Sequence, residues 1–129
     1  MVAFGTEEWL QEWVKASAAR PEHEGADGTI RVTVERAPQG KVVWLEDVRS
    51  GRVSEARLVG PKEAADIELT APYAVALELW RDGLDPNVAF MQGRLKMSGD
   101  AGLWIQVLPL LRDEGSRAAV AGLAEQTEF

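Results

Sequence analysis

Residues 65–111 decide the fold, and they read ADIELTAPYAVALELWRDGLDPNVAFMQGRLKMSGDAGLWIQVLPLL. Ile67 and Leu69 alternate with polar neighbours, which is typical of a strand with one buried face. Further along, Asp85 and Pro86 indicate a helix start, because Asp caps free backbone N–H groups and Pro fits the first helical turn. Large apolar side chains recur at inward spacings throughout. The segment therefore predicts two strands and three helices that share one apolar core.

The first predicted helix of this segment spans residues 71–82. Thr70 is its expected N-cap, Pro72 lies in the tolerant first turn, and Gly83 ends the helix. The strand before it is expected over residues 65–69. The expected apolar face of the helix consists of Ala74, Ala76, Leu77 and Trp80.

A short helix and a second strand follow. With Asp85 as N-cap and Pro86 at the first helical position, the helix is expected to run to about Met91, and Gly93 ends it. Residues 94–98 then alternate again between apolar and polar. This alternation predicts a strand whose inward side chains are Leu95 and Met97.

The last strong helix is expected to begin at Ser98 or Asp100. Pro109 inside it removes a backbone hydrogen bond. We therefore expect either a bend, which lets the helix curve over the sheet or frame a pocket mouth, or the end of the helix. Residues 116–129 have weakly helical spacing and fit a lid, a partner-docking helix or a frayed end. The apolar stripe of the last strong helix consists of Leu103, Trp104, Val107, Leu108 and Leu111.

The first half of the chain predicts one helix and three strands. Residues 21–28 form an acidic loop rich in Gly and Pro. Strands are expected over residues 29–35, 41–48 and 52–59, and the turns between them are so short that neighbouring strands must pair antiparallel. An amphipathic helix is expected over residues 6–19, and its apolar side consists of Trp9, Leu10, Trp13 and Val14.

Composition and charge exclude several classes of function. The chain of 129 residues is long enough for one domain, which we place over residues 1–129. A net charge of −7 repels nucleic acid, so no nucleic-acid partner is expected. The apolar runs are far shorter than the about 20 residues of a membrane span, which leaves at most transient membrane contact. Without cysteine or an export signal, a cytoplasmic location is the default, and the sequence does not indicate an oligomeric state.

The sequence shows no catalytic or metal-binding constellation. Its single histidine, His23, lies between two glutamates, and no second histidine or cysteine completes a zinc site or a nucleophile–base pair. A small isomerase or cyclase would need a carboxylate such as Asp66 or Glu78 in an apolar cavity. Asp66 alternates outward from Ile67, which counts against this function. We therefore expect no enzyme, no cofactor and no metal.

Three local motifs carry a resemblance to a known family. They are Ala65-Asp66-Ile67 at the start of a strand, Gly83-Leu84-Asp85-Pro86 between two helices, and AFMQGRLKMSGD over residues 89–100. The third motif is the most specific. On these motifs and on the order of its predicted elements, the chain resembles the sterol carrier protein type 2 family, also called nonspecific lipid-transfer domains.

This resemblance implies an α/β layer of the α+β kind. A five-stranded, largely antiparallel sheet would be covered on one face by about five helices, with an elongated apolar tunnel between them. Family members bind fatty acyl chains, acyl-CoA esters, sterols or other lipids, so intracellular lipid binding and transfer are expected. The implied ligand-lining residues are Leu77, Trp80, Leu84, Phe90, Met91, Leu95, Met97, Leu103, Trp104, Val107 and Leu108.

The residues leave two alternatives open. The same domain with a collapsed tunnel would be a structural, dimerisation or accessory module, in which the five tryptophans fill the space. The other alternative is the small isomerase or cyclase. For a tunnel without a buried ion pair, we expect little discrimination between ligand head groups.

Overall fold

The computed structural model of the chain describes residues 1–129. Its five helices and five-stranded main sheet confirm the predicted α+β architecture. A second, two-stranded sheet joins the two ends of the chain and was not expected. In chain order the elements are β1 (Val2–Ala3), α1 (Glu7–Ser17), β2 (Gly28–Ala37), β3 (Gly40–Arg49), β4 (Arg52–Leu58), β5 (Ile67–Pro72), α2 (Tyr73–Trp80), α3 (Pro86–Met91), β6 (Lys96–Gly99), α4 (Ala101–Arg112), α5 (Glu114–Glu125) and β7 (Thr127–Glu128).

The main sheet has the strand order β4-β3-β2-β5-β6. The first three of its strands in sequence, β2, β3 and β4, form the predicted antiparallel meander. The chain then crosses to the far side of β2, where β5 pairs parallel to β2 and β6 pairs antiparallel to β5. The sheet is therefore mixed, with one parallel pair among antiparallel ones.

The two faces of the sheet differ in chemistry because side chains alternate along each strand. On one face Val32 lies beside Trp44 in the β2–β3 register, and the helices cover this face. On the opposite face Arg31 is the register partner of Glu68, and their side chains form an ion pair at 2.7 Å. The core therefore lies on the helix-covered side.

The predicted start of α2 is wrong. Thr70 does not cap a helix, because its backbone belongs to β5 and its register partners are Thr33 of β2 and Lys96 of β6. The strand continues to Pro72, which occupies the N-cap position of α2 without a side-chain hydrogen bond. Hydrogen bonding to two neighbouring strands outweighs the local preference for a cap.

Two further expectations about residues 71–98 are also corrected. Ala74, which we placed on the apolar face of the helix, is exposed, whereas Val75 and Ala76 are buried. Leu95 precedes β6 instead of lying within it, although its side chain is buried as expected. The Asp85 cap, with Pro86 at the first helical position, is confirmed.

Four tryptophans fill one end of the core. Trp13 and Trp80 meet edge to face with ring centroids 4.4 Å apart, and Phe4 contacts Trp9 in the same way at 4.7 Å. Trp44 lies within the same cluster. Such aromatic pairs add about 0.5–1.5 kcal/mol each beyond their buried area.

The last segment of the chain is ordered secondary structure, so the frayed-end alternative is wrong. It forms α5 and then β7, which pairs parallel to β1. The indole N–H of Trp9 donates to the buried hydroxyl of Thr127 at 3.2 Å, and Phe129 packs against Phe4. The two chain ends therefore stabilise each other.

The helix α4 continues past Pro109 to Arg112, so the prediction that the helix ends at this proline is wrong. Asp100 caps its start by accepting a hydrogen bond from the backbone N–H of Leu103 at 3.0 Å. None of the five helices combines the length and apolar character that crossing a membrane demands.

We predict that Gly99→Ala destabilises the protein by about 3 kcal/mol or more. Gly99 pairs with Ile67 at a positive φ of 109°, and an added Cβ would overlap the carbonyl oxygen of Asp66. Gly83→Ala is the matched control, because Gly83 also has a positive φ but no neighbour near the added methyl group. Gly83→Ala is expected to destabilise the protein by only about 1–2 kcal/mol, which is the cost of the left-handed backbone conformation for alanine. Urea unfolding measures both, and equal losses would contradict the prediction.

Candidate functional site

A partly open, mainly apolar cavity lies between the sheet and the helices. Its volume is about 100 Å³, and 15 of its 20 lining residues are hydrophobic. Pockets for drug-sized ligands usually measure about 300–1,000 Å³. In this conformation the cavity accommodates only a few atoms of a ligand, so a long chain requires the walls to move apart.

Regular side-chain spacing explains the walls of the cavity. The sheet contributes alternate residues of β2 and β5, which point to the helix-covered face. The helix α4 contributes Trp104, Val107 and Leu111, which share one side at helical spacing. The apolar lining from the other elements is Trp13 and Ala16 of α1, Ala76, Leu79 and Trp80 of α2, Pro86 of α3, Leu95 just before β6, and Val120 of α5.

The structure separates the predicted ligand-lining residues into three groups. Met91 is 76% exposed and Leu77 is half-buried, and neither contributes to the cavity. The residues that line the cavity are Trp80, Leu95, Trp104 and Val107. The residues that belong to the surrounding apolar core are Leu84, Phe90, Met97, Leu103 and Leu108. Ligand contact by any of them remains a prediction.

A buried carboxylate forms part of the cavity wall. Glu46 lies on the helix-covered face of β3, opposite Ile30 of β2 and Ala56 of β4, and is only 4% exposed. The indole N–H groups of Trp13 and Trp44 donate to its Oε2 at 3.0 and 2.8 Å. The bond from Trp13 ties α1 to the sheet, and the bond from Trp44 lies within β3. They leave Oε1 without a donor from the protein.

A buried guanidinium lies at the same end of the cavity. Arg20 follows α1 and is 2% exposed. Its Nη1 donates to the carbonyl of Gly51 at 3.3 Å, and its guanidinium carbon lies 5.0 Å from the ring centroid of Trp13. Arg20 and Glu46 share this region without a direct hydrogen bond or ion pair. The lining of the cavity therefore includes two buried charged side chains.

Burial dominates the electrostatics of both groups. It raises the pKa of Glu46, against the opposing charge of Arg20 and the two indole hydrogen bonds. Burial likewise lowers the pKa of Arg20, against the charge of Glu46. The guanidinium nevertheless stays protonated, because arginine does not lose its proton in proteins.

Two polar atoms of the cavity wall have no hydrogen-bond partner. They are the hydroxyl oxygen of Ser116 and the indole nitrogen of Trp104, both on buried residues. A Cβ built on Gly115 would lie 3.1 Å from the carbonyl oxygen of Ala19, so the start of α5 lies against the end of α1. Ser116 is therefore at the end of the cavity where Arg20 lies.

Sequence patterns contain signals for the two charged residues that we did not use. Glu46 interrupts an inward alternation of Val42, Trp44 and Val48, so strand periodicity alone predicts a buried carboxylate. Arg20 lies three residues after the buried Ser17, so helical spacing continued past the end of α1 predicts that it points inward.

The acids suggested for an isomerase are not part of the cavity. Asp66 is exposed and accepts a hydrogen bond from the backbone N–H of Thr29 at 2.9 Å. Glu78 forms an ion pair with Arg94. No three acidic, histidine or cysteine side chains converge in a way that would hold a metal ion.

We predict that Glu46→Gln becomes progressively more stable than the natural protein as the pH rises. Because burial raises the pKa of Glu46 above its ordinary value of 4.5, the folded state holds a proton that the unfolded chain has lost. The contribution of Glu46 to the free energy of unfolding is fully present below the ordinary pKa. It is lost as the pH rises through the pKa that Glu46 has in the folded protein. The loss is at most about 1.4 kcal/mol per pH unit.

Urea unfolding of both proteins across this pH range measures the effect. Contributions of all other groups cancel in the difference between the two proteins. If instead the natural protein became more stable than Glu46→Gln as the pH rises, the prediction would be wrong. Arg20 and the two indole hydrogen bonds would then affect the pKa of Glu46 more than burial does.

Solved structures share this fold. A crystal structure of sterol carrier protein 2 has a TM-score of 0.70 at 20% identity, covering 95% of this chain and 98% of that one. A conserved hypothetical protein from Thermus thermophilus, described as possibly a sterol carrier protein, has a TM-score of 0.73 at 19% identity over 96% and 92% of the two chains. Palmitated SCP2L2 from Aedes aegypti has a TM-score of 0.64 at 19% identity over 88% and 96%.

Curated relatives support the same relationship at the level of sequence. Sterol carrier protein 2 of Gallus gallus is 32% identical over 89 residues, and that of Homo sapiens is 31% identical over 90 residues. These matches cover 68% and 69% of this chain but 16% of each relative, so the chain corresponds to a small part of their length. Residues 7–112 match the SCP-2 sterol transfer family. The chain therefore belongs to the SCP-2 sterol transfer family.

Proposed function

We propose that this protein binds a lipid or another apolar molecule between its sheet and its helices and carries it to other surfaces or enzymes. The observation that carries the proposal is the interior cavity, whose walls are largely hydrophobic. Membership of a sterol transfer family supports it, as does the palmitated state of the Aedes aegypti protein of similar fold. The ligand class is fatty acyl, acyl-CoA or sterol-like.

The walls on the helix side are the ones that must open. The strands behind them are held by ladder hydrogen bonds on both sides of β2 and β5. The helices α2, α4 and α5 contact the cavity through apolar side chains, which tolerate small displacements. Opening toward the helices therefore separates apolar surfaces and leaves the sheet intact, and a bound chain replaces the contacts that are lost.

The expected affinity is moderate. Burying a 16-carbon chain contributes about 12 kcal/mol gross, at about 0.8 kcal/mol per methylene. Association costs about 4–15 kcal/mol, and opening the cavity of about 100 Å³ costs more. At the low end of this association cost the difference is about 8 kcal/mol, which corresponds to a dissociation constant of about 1 µM, and the cost of opening weakens the binding further.

A structural or dimerisation module is the second candidate. The small volume favours it, because four tryptophans already fill one end of the interior. In that case the cavity would be a packing defect, and no lipid would copurify with the protein. Neither candidate assigns a reaction to the site or a nucleic-acid partner. A cytoplasmic place of action is part of our proposal, and it agrees with a chain free of cysteine.

Direct detection of a ligand separates the two candidates. The purified protein is extracted with organic solvent for mass spectrometry, and displacement of a fluorescent fatty acid is titrated in parallel. A copurifying lipid and saturable displacement support the carrier. Their joint absence contradicts the carrier and favours the module.

We predict that Ala76→Leu lowers the affinity for the fluorescent fatty acid by about tenfold or more. Ala76 is 1% exposed and lines the cavity, so the larger side chain fills space that a ligand needs. Ala74→Leu is the matched control, because Ala74 lies on the same helix but is exposed. Overpacking costs about 1–3 kcal/mol, so circular dichroism and urea unfolding must show that Ala76→Leu is folded. Equal affinities of the two folded variants would place the ligand elsewhere.

A further inference from the structure

An apolar carrier has no need of the two buried charged groups in its cavity. Removing an ion from water costs several kcal/mol, which only good partners offset. Arg20 and Glu46 are 2% and 4% exposed and make no direct contact with each other. They are the only ionisable residues among those that line the cavity.

Both groups have unused hydrogen-bonding capacity. The two indole N–H groups donate to the same oxygen of Glu46, Oε2, so Oε1 is free to accept from another donor. Arg20 uses one of its five N–H groups, in its bond to Gly51. The hydroxyl of Ser116, at the same end, has no partner. An acceptor, several donors and a hydroxyl therefore remain unsatisfied at one end of an apolar cavity.

We propose that Arg20 and Glu46 form a specificity-determining subsite that receives the uncharged hydroxyl end of a long-chain alcohol and discriminates against the corresponding carboxylate. The inference rests on the proposed lipid-binding function and names the ligand's polar group and its orientation. The hydroxyl lies inside the protein, and the hydrocarbon chain extends along the apolar walls.

The chemistry of the two head groups explains the preference. A hydroxyl has one donor for Oε1 of Glu46 and accepts from the guanidinium of Arg20. A carboxylate only accepts hydrogen bonds. It pairs with Arg20 but lies beside the ionised Glu46, and two like charges in a buried, mainly apolar site disfavour each other. Once Glu46 is ionised, binding a carboxylate therefore requires that one proton be taken up, either by Glu46 or by the carboxylate of the ligand.

The surroundings of Glu46 leave no other group to supply that proton. The residue faces Trp13 and Arg20 from α1 and the turn after it, Ile30 from β2 and Ala56 from β4. Trp44 contacts it from its own strand. The lining contributed by α2, α4 and α5 contains no titratable side chain. Proton uptake on binding a carboxylate is therefore assigned to Glu46 and the ligand together.

The test compares dodecanol with dodecanoate, which share a chain length and differ in the terminal group. Displacement of a fluorescent alcohol is titrated between about pH 5.5 and 9, below the aggregation threshold of either ligand. At the alkaline end dodecanol is expected to bind at least about tenfold more tightly. Above the pKa of Glu46 the affinity for dodecanoate falls about tenfold per pH unit, whereas that for dodecanol stays constant.

Glu46→Gln is the decisive variant. It keeps the size of the side chain and removes its charge, so dodecanoate should bind at least about tenfold more tightly than to the natural protein, with the pH dependence abolished. Glu55→Gln on the exposed part of β4 is the control and should change neither ligand. If Glu46→Gln fails to fold, the pH dependence of the natural protein decides alone.

The outcomes distinguish this inference from the proposed function. Equal, pH-independent binding of both ligands overturns the subsite and leaves lipid binding intact. Tighter binding of dodecanoate than of dodecanol at alkaline pH likewise overturns the subsite. Failure of the fluorescent alcohol to bind, while the fluorescent fatty acid still binds, overturns the subsite alone. Failure of both probes to bind overturns the carrier and the subsite together.

Discussion

The insertion of β5 between β2 and β6 is the constraint on which the rest of the structure depends. Its backbone groups are shared between a parallel partner and an antiparallel partner, so its register sets the direction of everything that follows it. Ile67, Leu69 and Ala71 consequently face the core. The helices α2 and α4, on either side of β6 in the chain, are thereby carried over the same face of the sheet. The cavity lies where they meet it.

A second interaction joins the N-terminal helix to this frame. The carboxylate of Glu46 accepts from an indole of α1 and from an indole of its own strand, inside an otherwise apolar cluster. Buried ionic groups of this kind cost stability relative to apolar ones of similar size. An apolar residue in place of Glu46 would leave the indole N–H groups of Trp13 and Trp44 without an acceptor, so Glu46 has a structural role beside the selectivity that we propose for it.

Much of the fold could be predicted from local patterns. The strands β2 and β3 and the cap at Asp85 depend on residues close in sequence, so they were predicted correctly. The extension of β5 through Pro72 depends on distant strands, and local cap signals at Thr70 pointed the other way. At the site, Trp104 and Val107 follow from helical spacing, whereas Met91 carries the same apolar signal and is exposed.

The sequence by itself determined the strands of the main sheet, most of the helix positions and the family to which the chain belongs, because these are encoded in short-range spacing and local motifs. Only the tertiary structure decided that the cavity between sheet and helices measures about 100 Å³ and that Arg20 and Glu46 both line it. Volume and charge pairing are properties of side chains brought together from distant segments. Residues 26 positions apart come into one cavity only after α1 and β3 have packed.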